Sequence, residues 1–429
     1  MGRISAKADS VFSFVLRKLG WWTITFLLVF LPFQISIQKW LNLPYQFLWV
    51  DEVLILFSSI LFFFSLSYLG RIKKEAWYML VVLLVIVIIG YLSTLYNMAL
   101  FKISSGAIFN YVKNFLPIPI FCLLIIPKTK TLFLYNMLHR VALFLCTFAI
   151  LQEIAFLVGF PVEKLMANVE YIYTFKRFGF IRTPSLMWHP NEFGLYALFF
   201  FILDFSIKRR LRWQNLLLLA GIILSGSRIV WAALFFAFFY LLIQKNKRII
   251  GVCFLATMIA IAILVPSLKT AEELTSENYF RRYTILKSVE IWKDHPLLGV
   301  GPGMCGGWIT PGFRSPVFEK YQFQARWIEA IERGRTLDSF WIQSLVELGL
   351  FGTLGFVILL IVLWHVAIKE AKFAQDPYRK KLLLGFSAMP IIIGFYLFTN
   401  TLNITSFLLT YSILFGMTLG MKDENSFSQ

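Results

Sequence analysis

Residues 382–421 run for forty positions without a charged side chain. A helix needs roughly 20 apolar residues to cross the hydrocarbon core of a bilayer. This stretch is too long for one crossing and is expected to fold back near Thr399, Asn400 and Asn403. Long uncharged stretches recur from residue 21 onward. Composition agrees, with 59% apolar and 15% charged residues, against about 45–50% and about 25% in soluble domains. A soluble multidomain enzyme and a disordered chain are both excluded. The sequence predicts an all-α polytopic membrane protein.

Candidate spans fall at 21–38, 53–69, 76–98, 114–127, 134–159, 188–207, 213–227, 229–244, 249–266, 339–365, 382–398 and 401–421, about twelve in all. Residues 1–429 are expected to form one transmembrane domain, without a tandem repeat or low-complexity tract. Trp21 and Trp22 open an uncharged span with no small-residue cleavage site after it, which reads as a retained helix rather than a signal peptide.

The net charge of +18 invites a nucleic-acid partner, but the basic residues sit in short clusters between spans, where the positive-inside rule wants them. No compact basic domain is present to follow a phosphate backbone. With the N-terminus inside, the inner segments carry 23 basic residues and the short outer segments eight. Lys102 and Lys113 are among those eight. Both termini are then expected in the cytoplasm. Two long loops fall outside, 160–187 and 267–337, the second between the ninth and tenth spans. Loops beyond about 12–15 residues are usually functional or disordered. The apolar and aromatic residues of the second point to a folded cap.

Cys122, Cys146, Cys253 and Cys305 have no spacing that suggests a disulfide framework or a zinc site. Asp51 and Glu52 at the outer end of the second span are a poor metal ligand set alone.

Basic residues near the outer boundary carry more information, because the positive-inside rule does not explain them. Arg182 precedes the run Trp188-His189-Pro190-Asn191-Glu192. Arg228 ends the tight turn Ser225-Gly226-Ser227-Arg228, and Arg281 and Arg282 open a helical stretch in the long loop. Singly, such arginines anchor helix ends at lipid headgroups. Together they would suit a diphosphate, whose oxygens guanidinium binds bidentately. Helix N-termini beside Ser227 and Asn191 could add backbone donors.

His189 precedes a proline at a helix start, where a cap or kink competes with catalysis, and His295 reads as structural. The turn Gly299-Val300-Gly301-Pro302-Gly303 lacks the strand-turn-helix setting of a nucleotide site. Asp338 opens the tenth span as either a helix cap or a general base. Glu347 follows roughly 13 Å deeper, and acids at such depth are functional candidates by default.

Four stretches in order resemble the O-antigen polymerase and ligase superfamily of bacterial surface-polysaccharide assembly. They are Arg182 through His189-Pro190-Asn191, Ser225 through Arg228, Arg282 through His295 to Gly303, and Asp338 through Gln343, Glu347, Gly349 and Gly352. The span layout and the long loop also agree, over most of 175–360. The resemblance implies a GT-C-like fold in the cytoplasmic (inner) membrane. It implies metal-independent, inverting glycosyl transfer on the outer face, with no cofactor. The donor would be an undecaprenyl-diphosphate-linked glycan, with Arg182, Arg228 and Arg282, or its neighbour Arg281, on the diphosphate. The acceptor would be a lipid-linked repeat or lipid A core. Membrane lipids and chain-length regulator and flippase proteins would be the other partners. Ligases of the superfamily carry a histidine where this chain has Asp338, so polymerase leads, ligase follows, and a lipid-linked glycan flippase remains from another class.

Overall fold

The computed structural model describes residues 20–44, 52–57, 73–124, 126–160, 180–208, 211–243, 280–305, 313–325, 328–329, 339–398 and 405–421. Among the described residues the regular structure is helical and no sheet forms. In chain order the helices are α1 (Gly20–Trp40), α2 (Lys74–Tyr96), α3 (Phe101–Val112), α4 (Pro117–Leu123), α5 (Lys128–Leu157), α6 (Pro190–Lys208) and α7 (Trp213–Leu224). They continue with α8 (Arg228–Ile243), α9 (Phe280–Asp294), α10 (Pro316–Lys320), α11 (Phe340–Phe373), α12 (Pro377–Phe386), α13 (Met389–Tyr396) and α14 (Thr405–Gly420).

Of these, α1, α2, α5, α6 and α11 are long and apolar enough to cross a membrane singly, and α3 with α4 forms a sixth, broken crossing. The helices α7, α8 and α14 are apolar but shorter. The expected span at 249–266 and most of that at 53–69 lie outside the described residues. So do residues 161–179 of the first long loop, and 267–279, 306–312, 326–327 and 330–337 of the second. A polytopic helical membrane protein is what the described helices build.

Three expected spans take a different form. The stretch 99–113 is not an outer loop: α3 begins at Phe101, and 114–127 is only the second half of a crossing bent by 52°. Pro117 and Pro119 supply no backbone N–H at the start of α4, so the helical ladder cannot continue through the hinge. Lys113 therefore lies buried at the bend, its Nζ 2.7 Å from Glu52 Oε1. Second, the uninterrupted span expected at 382–398 is divided into α12 and α13 by a turn at Ser387–Ala388, just before Pro390. Third, the helix expected at 339–365 runs on to Phe373 and breaks at Gly349, whose backbone is non-helical (φ 65°, ψ −165°).

Contacts between helices sort into two ends. At one, Lys128 meets Asp376 (3.0 Å), Lys369 meets Glu75 (2.9 Å), and Arg379 joins Glu370 and the carbonyl of Thr418. Lys73 donates to the carbonyl of Leu419 there (2.9 Å). At the opposite end lie the 180–189 segment, the turn between α7 and α8, and the start of α6. Between them runs an apolar core rich in aromatics, with Phe193, Phe199, Phe200, Phe386, Phe407 and Tyr411 all fully buried. Each helix that crosses completely joins one polar end to the other.

Candidate active site

Thr183 is held against the last turn of α7, its N–H donating to the carbonyl of Leu224 (3.1 Å). That bond satisfies a carbonyl with no partner inside its own helix. Ser185 donates its hydroxyl to the carbonyl of Leu145 (2.7 Å), and Gln152 donates to the carbonyl of Ser185 (3.1 Å). So tethered to α5 and α7, the irregular strip 181–187 is buried throughout.

Arg182 is the charged member of that strip, and it is buried. Its Nη2 donates to Asn191 Oδ1 at 2.9 Å, which locks the guanidinium to the first turn of α6. Its aliphatic stem crosses Gly226: a Cβ there would sit 2.7 Å from Arg182 Cγ, and the backbone has φ +57°. Glycine is needed at 226 on both counts. Ser225 and Ser227 cap the turn, their hydroxyls accepting from the N–H groups of Ser227 (3.3 Å) and Val230 (3.4 Å). Arg228 then opens α8 with its side chain exposed. Two of the sequence-predicted arginines thus belong to one structure, a buried one laid over the turn and an exposed one at its exit.

His189 lies beside them. Its Nδ1 accepts the N–H of Asn191 (3.0 Å). Burial and the positive charge of Arg182 hold its pKa down to about 3. The ring is neutral at working pH, with its proton on Nε2. In that tautomer Nε2 donates a hydrogen bond and cannot take a proton. Asn191 and His189, singled out as secondary candidates, both converge on Arg182.

Arg281 and Arg282 occupy the first turn of α9, and their side chains lie outside the described residues. Asp338 also lies outside them. The described residue after it, Ser339, is the N-cap of α11, so the cap position expected for Asp338 falls one residue later.

The Gly-rich turn and Glu347, distant in sequence, form one unit. At the Gly349 break the N–H groups of Leu350 and Phe351 donate to the carbonyls of Pro296 (2.9 Å) and Leu297 (3.2 Å). The freed carbonyls of Val346 and Glu347 accept from Val300 (2.9 Å) and Gly301 (3.0 Å). Two intrahelical bonds are exchanged for four to the loop, which keeps the backbone satisfied where the helix breaks. The approach is too close for side chains. A Cβ on Gly299 would lie 2.4 Å from the carbonyl oxygen of Val346, and one on Gly349 would lie 2.3 Å from that of Leu297. The Glu347 carboxylate accepts from the hydroxyl of Tyr111, the N–H groups of Gly303 (2.7 Å) and Cys305 (3.1 Å), and Gln343 Nε2 (3.2 Å). A carboxylate has about four acceptor sites, so Glu347 is fully occupied as an acceptor. Tyr111 had no sequence signal of its own.

Among the described residues, no three His, Cys, Asp or Glu side chains gather as a metal site. Glu52, weighed as part of a metal pair, is instead the partner of Lys113, and Asp51 lies outside the described residues.

A helical membrane protein with Arg182 and Arg228 on one buried turn at one end belongs to a class with many members. Residues 214–357 narrow it, for they match the family model of the O-antigen ligase domain. The match covers the α7–α8 turn, α9, the Gly-rich loop and the first half of α11. It bears out, over that third of the chain, the resemblance to the O-antigen polymerase and ligase superfamily. No curated protein matches the chain.

Proposed function

We propose that the protein transfers glycan from an undecaprenyl diphosphate carrier to a sugar hydroxyl, on the outer face of the cytoplasmic membrane, as a polymerase of O-antigen or related repeat units. The observation that carries this is Arg182 laid over the Ser225–Arg228 turn and clasped by Asn191. A buried arginine fixed on two sides is a preorganised site for an anion, and Arg228 and Arg282 or Arg281 complete the clamp. As the anomeric C–O bond breaks, negative charge gathers on the departing diphosphate. Fixed cations stabilise it without reorganising. The neutral His189 ring adds a donor, and Asp338 takes the proton of the attacking hydroxyl. Attack opposite the leaving group inverts the anomeric centre, and the reading needs no metal.

The match to the O-antigen ligase family favours a second reading in which lipid A core is the acceptor. Asp338, where ligases of the superfamily have histidine, favours the first. Deleting the gene and resolving surface glycans on a gel separates them. A polymerase deletion loses the long ladder and keeps a single capped repeat. A ligase deletion accumulates lipid-linked polymer over a bare core. An unchanged ladder would contradict both.

A further inference from the structure

Glu347 is a buried carboxylate that proton transfer does not use, and its four donors come from three separate parts of the chain. Gly303 and Cys305 belong to the loop that follows α9, Tyr111 to α3, and Gln343 to the first turn of α11 itself. The loop has further ties on the same side: Asn97 Nδ2 donates to the carbonyl of Gly299 (2.9 Å), and Ser93 Oγ to the carbonyl of Glu347 (3.2 Å). Above this seat, Tyr283, Ile291, Val300, Met304 and Cys305 share a separate small core with Val346 of α11. Tyr283 directly follows Arg282, so the arginine-bearing turn of α9 is one residue from the core that the seated loop completes. Ser339, the residue after Asp338 in sequence, caps the helix that carries Glu347.

We infer that Glu347 is a positioning residue, whose carboxylate seats the Gly299–Cys305 loop and thereby fixes the α9 arginines relative to the Asp338 end of α11. This rests on the proposed glycosyl transfer for its reaction, though not for the seating itself. Charge-assisted bonds to backbone N–H groups are among the strongest available to a loop. In a site where an ångström of displacement is costly, the seat governs donor binding without touching the donor.

Cys305 reports on the seat. Its thiol is buried and pushed well above the usual thiol range, mainly by burial and then by Glu347. It is therefore unreactive while the loop is down. The full chain, purified in detergent, is treated with a maleimide and modification of Cys305 is read by peptide mass spectrometry. Kinetics use an undecaprenyl-diphosphate-linked oligosaccharide. Glutamine accepts at only one terminal atom, so Glu347→Gln should speed Cys305 labelling by about tenfold or more. It should also raise the donor KM by about fivefold or more while the acceptor KM holds. A variant that merely folds less well loses kcat and keeps its donor KM. Unchanged Cys305 protection, or exposure with an unchanged donor KM, overturns the inference. If Glu347→Gln does not accumulate, Tyr111→Phe keeps the carboxylate and removes one donor. It should shift both readouts in the same direction by less, and no shift in either overturns the inference. If wild-type protein transfers no glycan, the proposed function fails, while Cys305 labelling still decides whether Glu347 holds the loop.

Discussion

Arg182 is buried, its guanidinium bound to Asn191 and its stem across Gly226. Lysine there would keep the charge and lose the planar fork. Arg182→Lys and Arg228→Lys should each cost around 3–4 kcal/mol in the transition state, or about 10²–10³ in rate, measured on protein present at wild-type level. Asp338 precedes the cap, which is Ser339, so Asp338→Asn should abolish transfer while leaving donor binding and Tm intact. A fully active Asp338→Asn enzyme would remove the aspartate from the mechanism. His189 gives a pH test. Its folded pKa is about 3, and an unfolded histidine titrates near 6.5. Between those values the unfolded chain takes up a proton that the folded one refuses, so this contribution to stability is lost as pH falls below about 6.5. The fall in Tm between pH 7 and pH 5 should therefore be smaller in His189→Asn than in wild type, and an equal fall would contradict a neutral, half-buried ring. The arginines were legible in the sequence because the positive-inside rule left them unexplained. Asn191 and His189 were legible because they sit beside one another at a helix start. The work of Glu347 was not, since three of its four donors lie 236, 44 and 42 residues away and depth alone marks an acid as functional without saying how.

Helix α11 shows what a break in a membrane helix requires. The positive φ of Gly349 frees two N–H groups and two carbonyls, and the 296–301 backbone takes all four. The glycines of both segments were visible in the sequence, which only set the Gly299–Gly303 turn aside as a nucleotide site. Nothing in their spacing said that the turn meets the break in α11. Gly349→Ala should cost at least ~1–3 kcal/mol in backbone strain alone, with a steric clash against Leu297 added. Thermal unfolding in detergent should show a lowered Tm, and an unchanged Tm would mean that the interlock is not as tight as the distances make it. The bend between α3 and α4 was hidden for a different reason. Lys102, Lys113 and two serines lower the hydropathy of 99–113, so a window count reads loop. The structure instead buries Lys113 against Glu52 at the hinge. A cation with its own counter-ion can enter a membrane helix that composition would exclude.

Across the molecule, ends that the charge count put on the same side do meet. Lys128, Asp376, Arg379, Lys369 and Lys73 share one end, and the Arg182 strip and the α7–α8 turn share the other. If the first end is cytoplasmic, thiols introduced in 160–187 and 267–337 should react with an impermeant reagent from outside, and one beside Arg209 should not. Outside labelling near Arg209 would reverse the orientation. On the proposed function, one preorganised arginine site at the Arg182 end drives glycan transfer off a diphosphate. Purified wild-type protein and Arg182→Lys, given a synthetic undecaprenyl-diphosphate-linked oligosaccharide and an acceptor glycan, put this to the test. Wild type should release free undecaprenyl diphosphate in step with product, and Arg182→Lys should do so about 10²–10³ more slowly. Product formed equally fast by Arg182→Lys, or no diphosphate released by wild type, would contradict it.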